Sequence, residues 1–134
     1  MKKAQVSMEY MIIIAFVTAI IIPLIVVFTM HSSALNEQVI DNQVNQIANR
    51  IIENVESVYY LGNTCKLSFT INIPKNVEDI VISGREIVFY LKQHNGISEI
   101  VRMSTIPMNG TIKHSAGLHN IVIESKGDYI WISN

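Results

Sequence analysis

The sequence predicts an α+β protein in which one long N-terminal helix packs on a small antiparallel β-sheet head. Three observations predict this fold. Residues 11–28 are apolar and uncharged, apolar residues then recur with helical spacing as far as residue 59, and apolar and polar residues alternate after Cys65. The chain of 134 residues, 49% hydrophobic and only 16% charged, carries more apolar material than one soluble domain needs. The excess must therefore be covered by lipid or by protein.

The apolar run is long enough to cross a membrane. It comprises eighteen residues, 11–28, without a charge, and a stretch of about this length spans the hydrocarbon core as a helix. Lys2 and Lys3 precede the run, whereas no Lys or Arg follows it until Arg50. Because basic residues are retained on the cytoplasmic side, the N-terminus is predicted to lie inside and the remainder outside.

Apolarity alone leaves two alternatives open. Ser32 and Ala34 form a small-x-small pair of the kind at which a secretory signal is cut, although the apolar region of such a signal is usually shorter. A permanent single-pass anchor is the other alternative. The choice depends on the residues that precede the run.

The helix is predicted to continue beyond the membrane, from about Met8 to Leu61. Pro23 lies inside it and predicts a local kink, and Gly62-Asn63 predicts its end. Polar residues fill the other side of the helix after the span, so the apolar stripe from Leu35 to Tyr59 should pack on the sheet and complete its core. The stripe consists of Ala34, Leu35, Val39, Ile40, Val44, Ile47, Ala48, Ile51, Ile52, Val55, Val58 and Tyr59.

Five to seven short strands are predicted after the helix. Asn95-Gly96 predicts a two-residue hairpin turn that would place Lys92 opposite Glu99. Asn109-Gly110 predicts a further turn. A last hairpin, from Leu118 to Ser133, is predicted around Lys126-Gly127.

The segment before the apolar run reads KKAQVSMEYM. It resembles the N-terminus of archaeal type IV pilin precursors of the class III signal-peptide group, in which a basic leader precedes a glutamine at the cut, a small residue, and a Glu followed by an aromatic residue. The positions that carry the resemblance are Lys2, Lys3, Ala4, Gln5, Ser7, Glu9 and Tyr10.

The resemblance implies a specific processing step. A prepilin peptidase would cut between Ala4 and Gln5, removing the basic leader while the apolar helix stays on the mature chain. Glu9 would then meet the new terminal amine of a neighbouring subunit and set its register, although it could instead lie at the headgroup boundary. A terminal glutamine can also cyclise, which would remove the charge of that amine.

The implied function is that of a major or minor pilin, a structural subunit of an adhesion pilus. Its partners would be identical or related pilins, the prepilin peptidase, and a pilus assembly ATPase with its membrane platform. The precursor would lie in the cell membrane and the mature subunit in a surface filament; the alternative is a permanently anchored protein with a β-rich binding domain. The expected divisions are a leader, 1–4, a transmembrane or assembly half of the helix, 5–30, an amphipathic half, 31–62, and the head, 63–134.

Other functions find little support in the sequence. The formal charge of −1 gives no broad electrostatic attraction to nucleic acid. No metal site is predicted, because the four histidines lack metal-ligand spacing. No catalytic or cofactor site is predicted either. The single Cys65 leaves the redox compartment undecided. Asn109-Gly110-Thr111 is an acceptor sequence for N-glycosylation.

Overall fold

The computed structural model describes the backbone of residues 2–134 and the side chains of residues 7–32 and 34–134. One helix precedes seven strands. In chain order the elements are α1 (Lys2–Leu61), β1 (Lys66–Ile73), β2 (Val77–Ser83), β3 (Glu86–Gln93), β4 (Gly96–Met103), β5 (Met108–Gly110), β6 (Gly117–Ser125) and β7 (Ile130–Ser133). The predicted α+β class is confirmed.

Helix α1 ends where the sequence predicts and begins earlier than predicted. It includes Pro23 without interruption and stops at Leu61, where Gly62 takes a φ of 100° and its N–H donates to the Tyr59 carbonyl at 3.2 Å. Packing divides the chain within α1 into an N-terminal unit, Met1–Gln38, and a C-terminal unit, Val39–Asn134.

The strands form two sheets rather than the single antiparallel sheet predicted. One sheet has the order β1-β6-β7-β5 and the other the order β2-β3-β4. Every pair is antiparallel except β5 with β7, which run parallel. The four-stranded sheet is therefore mixed. In the chain, β5 follows the three strands of the other sheet and then lies beside β7.

The helical stripe and both sheets share one core in the C-terminal unit. Val44, Ala48, Ile51 and Val55 are completely buried, which confirms this stretch of the predicted stripe. At its start the prediction is wrong, since Leu35 is 60% exposed. Val39 is likewise 52% exposed. Periodicity gave the right face of the helix but not the length over which that face is covered.

The hairpin of β3 and β4 has a different register from the predicted one. Lys92 pairs with Ile97 rather than with Glu99, and the closing pair is Gln93 with Gly96. A type I′ turn on Asn95-Gly96 would need a positive φ at both residues, yet Gly96 alone has one, 134°. The connection is therefore His94-Asn95, and Gly96 follows it as the first residue of β4.

The predicted turn at Asn109-Gly110 is wrong, because these residues lie in β5. A Cβ on Gly110 would stand 1.9 Å from the carbonyl oxygen of Ile132 on β7. The glycine thus permits close approach of two backbones rather than a reversal of the chain. The last predicted hairpin is confirmed, since β6 pairs with β7 and the Lys126 N–H donates to the Tyr129 carbonyl at 2.9 Å.

Candidate functional site

The apolar N-terminal part of α1 is the candidate functional site. From residue 7 to residue 32, every residue is exposed, including Phe16 at 67% and Phe28 at 73%. By length and composition this helix could cross a membrane. Exposed apolar surface on this scale requires lipid or protein to cover it.

The predicted processing residues precede this surface. The backbone of Lys2, Lys3, Ala4 and Gln5 belongs to α1, but their side chains lie outside the described residues. The cut between Ala4 and Gln5 therefore stays a prediction. The sequence shows only the order of these segments, in which the two lysines precede the apolar run.

Glu9 is the carboxylate nearest to the apolar surface. Its side chain is exposed, and it lies two residues before the uncharged run begins at Met11. None of the described side chains forms an ion pair with it. A carboxylate at this boundary is costly to move into hydrocarbon unless it is paired, so its position suits either a headgroup or a cationic partner.

Comparison with known families identifies this segment. Residues 2–28 match the family model described as Class III signal peptide. This signal is the hallmark of archaeal type IV pilin-like precursors, which confirms the resemblance carried by the KKAQVSMEYM segment. No curated protein and no solved structure matches the chain.

The match to the class III signal peptide also bears on the role of the apolar surface. Together with the exposed helix it supports a processed, type IV pilin-like precursor that is anchored in a membrane. A secretory signal cut near Ser32 and Ala34 would instead discard the apolar helix. Retention of residues 11–28 on the mature chain stays a prediction.

Ser115, His119 and Asn134 form a hydrogen-bonded cluster that the sequence did not reveal. Its arrangement resembles a nucleophile beside a general base. The Ser115 hydroxyl lies 3.2 Å from His119 Nε2, and His119 Nδ1 lies 2.8 Å from Asn134 Nδ2. The Lys113 N–H donates to Asn134 Oδ1 at 3.0 Å. The Asn134 amide must therefore donate to Nδ1.

This hydrogen-bond pattern assigns the tautomer of His119. Because Nδ1 accepts, the proton of the neutral ring lies on Nε2, which donates to the Ser115 carbonyl at 2.6 Å. Nε2 cannot then take the proton of the Ser115 hydroxyl, as a general base must. The cluster ties the segment around the start of β6 to Asn134 and does not activate a nucleophile.

Other candidate chemistry is sparse in the part of the chain that the structure describes. No group of three or more His, Cys, Asp or Glu side chains there could hold a metal ion. Cys65 is a free, half-buried thiol that lies 3.6 Å from the Leu61 carbonyl. Asn109 is exposed on β5, and its Oδ1 accepts from the Gly110 N–H at 2.8 Å.

Sequence reasoning also missed a polar contact between α1 and the strands. Arg102 on β4 donates to the side-chain oxygens of Asn45 and Asn49, and Gln93 donates to Asp41 at 2.9 Å. The signal that could have found it is the spacing of Asp41, Asn45 and Asn49, which places three short polar side chains on one flank of the helix.

Proposed function

We propose that this chain is a structural subunit, a major or minor pilin, of an archaeal type IV-like adhesion pilus. The observation that carries the proposal is the exposed apolar helix within the segment that matches a class III signal peptide. A helix of this kind can exchange lipid for the helices of neighbouring subunits. The contact between identical subunits would be heterologous and non-closing, as a helical filament requires.

Processing changes the anchoring of the subunit. A prepilin peptidase would cut between Ala4 and Gln5 and remove Lys2 and Lys3, so the formal charge changes from −1 to −3, with 8 basic against 11 acidic side chains left. The basic residues that hold the N-terminus inside are then gone. The apolar helix can leave the bilayer toward the outside.

The subunit is proposed to occupy two locations, one before processing and one after it. The precursor spans the cell membrane once with its N-terminus inside, and the processed subunit joins a surface filament. Identical or related pilins are the partners within the filament. A pilus assembly ATPase and its membrane platform would supply the work of extraction. The role of the subunit is structural and needs no cofactor.

The mass of the native protein tests this function directly. Intact-mass spectrometry and N-terminal sequencing of the chain from sheared surface filaments should give a mature start at Gln5, free or cyclised. The membrane fraction from the same cells serves as the comparison and should hold the precursor. An intact Met1 or Lys2 terminus on all of the protein, retained in the membrane, would instead support a permanently anchored binding protein.

A glycan on Asn109 is a separate proposal. The side chain is exposed and lies opposite Trp131 in the ladder of β5 and β7, so an attached sugar could pack on the indole ring. Asn109→Gln should remove the added mass seen on the native protein. Unchanged mass between the two proteins would contradict occupancy, and Asn120→Gln, at an exposed asparagine outside an acceptor sequence, is the matched control.

A further inference from the structure

We propose that the free edge of β1 pairs with β4 of a second copy of this chain, so that the four-stranded sheet of one copy continues into the three-stranded sheet of the next. The inference rests on the proposed filament and names one contact between its subunits. It is carried by two unpaired strand edges on opposite flanks of α1, and by their complementary charge and apolar side chains.

Strand β1 has one paired edge and one free edge. Pairing with β6 runs in unbroken register from Lys66–Glu124 to Ile73–Gly117, and the Ser125 N–H donates to the Cys65 carbonyl at 3.0 Å. Hydrogen-bonded positions alternate along an antiparallel strand, so the odd-numbered residues of β1 bond to β6. The residues whose N–H and C=O groups point away from β6 are Lys66, Ser68, Thr70 and Asn72.

This edge lacks the usual protection against pairing. Natural edge strands are guarded by a proline, a bulge or a charge in the middle of the strand. In β1 the only charge is at the first residue, Lys66, no bulge interrupts the register, and Pro74 comes only after the strand. An unguarded edge of eight residues is ready to accept another strand.

There is room beside this edge. An open groove of about 510 Å³ separates α1 from β1, and its lining includes Gln46 and Arg50 on the helix and Thr70 and Asn72 on the strand. Arg50 also lies over the Phe69 ring, 5.6 Å from its centroid. The groove thus has a strand edge on one side and polar helical side chains on the other, the arrangement in which extended segments bind by strand addition.

Strand β4 offers the complementary edge. The Ser104 N–H donates to the Arg85 carbonyl at 2.7 Å, which continues the alternation of β3 with β4. The residues of β4 that point away from β3 are therefore Ile97, Glu99, Val101 and Met103. The Val101 carbonyl accepts from Arg102 at 2.9 Å, a bond that an added strand would replace, leaving Arg102 its two asparagine partners.

Charge selects β4 rather than a second β1 as the occupant. The groove contains one cation, Arg50, and no carboxylate, and Lys66 lies at the end of the same edge. Two copies of β1 would bring like charges together. On β4, Glu99 is exposed and forms none of the ion pairs found among the described side chains, so its carboxylate complements the groove.

Apolar side chains favour the same pairing. Ile97 is 64% and Met103 77% exposed on β4, and Leu118, at the rim of the groove, is 77% exposed. Pairing of the two edges would cover part of this surface. Burial of apolar area favours association, which gives the contact a driving force beyond its backbone hydrogen bonds.

The two edges lie on opposite flanks of α1. At 100° per residue, the groove residues Gln43, Gln46 and Arg50 lie on one side of the buried stripe, while Asn45 and Asn49, which bind Arg102 of β4, lie on the other. A contact from β1 to β4 is therefore heterologous. It leaves one free edge at each end and can repeat without closing.

Cysteine cross-linking of the full chain tests the contact. In a Cys65→Ser background, a chain with Thr70→Cys and Val101→Cys is assembled into filaments, sheared from cells and treated with a short bismaleimide. We expect a ladder of covalent multimers on a denaturing gel. Each single variant should give none, and Thr70→Cys with Asp128→Cys, at an exposed loop position, is the matched control.

Each outcome bears on one proposal. Filaments without a ladder overturn the β1-to-β4 contact and leave the pilin function intact, and dimers from Thr70→Cys alone overturn it in favour of paired β1 edges. If the double variant forms no filaments, Ser68→Cys with Met103→Cys tests the same edges and keeps Glu99. Failure of the proposed function appears separately, as an unprocessed Met1 terminus, and the detergent-extracted chain would still report whether the two edges pair.

Discussion

Glu9 is the residue on which assembly should depend most directly. Its exposed carboxylate adjoins the apolar run, and in the proposed filament it meets the terminal amine of a neighbour. Glu9→Ala should leave the processed subunit in the membrane and reduce filament yield at least tenfold, because the register-setting pair is lost while the apolar surface is unchanged. Electron microscopy and blotting of sheared filaments measure the yield.

The matched control for this prediction is Glu53→Ala. Glu53 is also an exposed carboxylate on α1, and its backbone carbonyl accepts a hydrogen bond from the Ser57 hydroxyl. This control should assemble normally. Filaments of normal abundance from Glu9→Ala would refute the register role.

Gly110 tests the close approach of β5 to β7. A Cβ there would clash with the Ile132 carbonyl, and its φ of 142° also disfavours a side chain. Gly110→Ala should destabilise the C-terminal unit by about 3 kcal/mol or more, since strain and overpacking add. Gly96, with a φ of 134° and open space around it, isolates the strain, so Gly96→Ala should cost only about 1–2 kcal/mol. Urea unfolding of the detergent-solubilised chain measures both; equal losses would contradict the clash.

Glu124 gives the stability of the head a small acid dependence. The Lys126 ammonium, 2.9 Å away, lowers the pKa of the Glu124 carboxyl below its ordinary value of 4.5, first through a hydrogen bond and then through charge. The ionised form of the Glu124 carboxyl is therefore stabilised more in the folded state than in the unfolded state. The resulting stability is complete above pH 4.5 and is lost as the pH falls through the lowered pKa.

Lys126→Met should return the pKa of Glu124 toward its ordinary value and flatten the loss of stability below pH 4.5. Carboxyl NMR titration measures the first effect and urea unfolding against pH the second. Lys92→Met removes a comparable surface pair, Lys92 with Glu78 at 3.6 Å, and should leave the Glu124 titration unchanged. An unaltered titration in Lys126→Met would show that the pair does not set the pKa.

Helix α1 is the element that the sequence predicts best, because its spacing is a direct consequence of 3.6 residues per turn. The same spacing could not show where the stripe ceases to be covered, since Leu35 and Val44 look alike in the pattern but are 60% and 0% exposed. The alternation of apolar and polar residues likewise predicted that the strands exist. Register was not, because it depended on which of Asn95 and Gly96 takes a positive φ.

The shared core of helix and sheets makes Ile51 a sharp test at this scale. Ile51 is completely buried, so Ile51→Asp places an unpaired carboxylate in the core and should unfold the head, whereas Ile51→Ala should cost about 2–5 kcal/mol. Limited proteolysis of the full chain measures the result. Asn42→Asp, at an exposed position of α1, is the control. A protease-resistant head in Ile51→Asp would show that the sheets do not depend on the helix for their stability.

At the scale of the whole molecule, the sequence predicts which segments form the helix and the strands, but it does not predict the order in which the strands pair. The glycine at 110 was compatible with a turn or with close backbone approach, and only the neighbouring carbonyl of Ile132 decides between them. The candidate site was predictable because its signal is local, within residues 2–28. The edge pairing of β1 was not, because a free edge is defined by strands far away along the chain.

The pairing of β1 with β6 has a consequence for the time course of folding. Lys66 pairs with Glu124, so the first strand of the head must wait until nearly the whole chain has been synthesised before its partner exists. Such long-range pairings make folding slow. Until residue 124 has been made, the nascent chain therefore carries an exposed apolar helix and an unpaired first strand, so early contacts with neighbouring chains compete with correct folding.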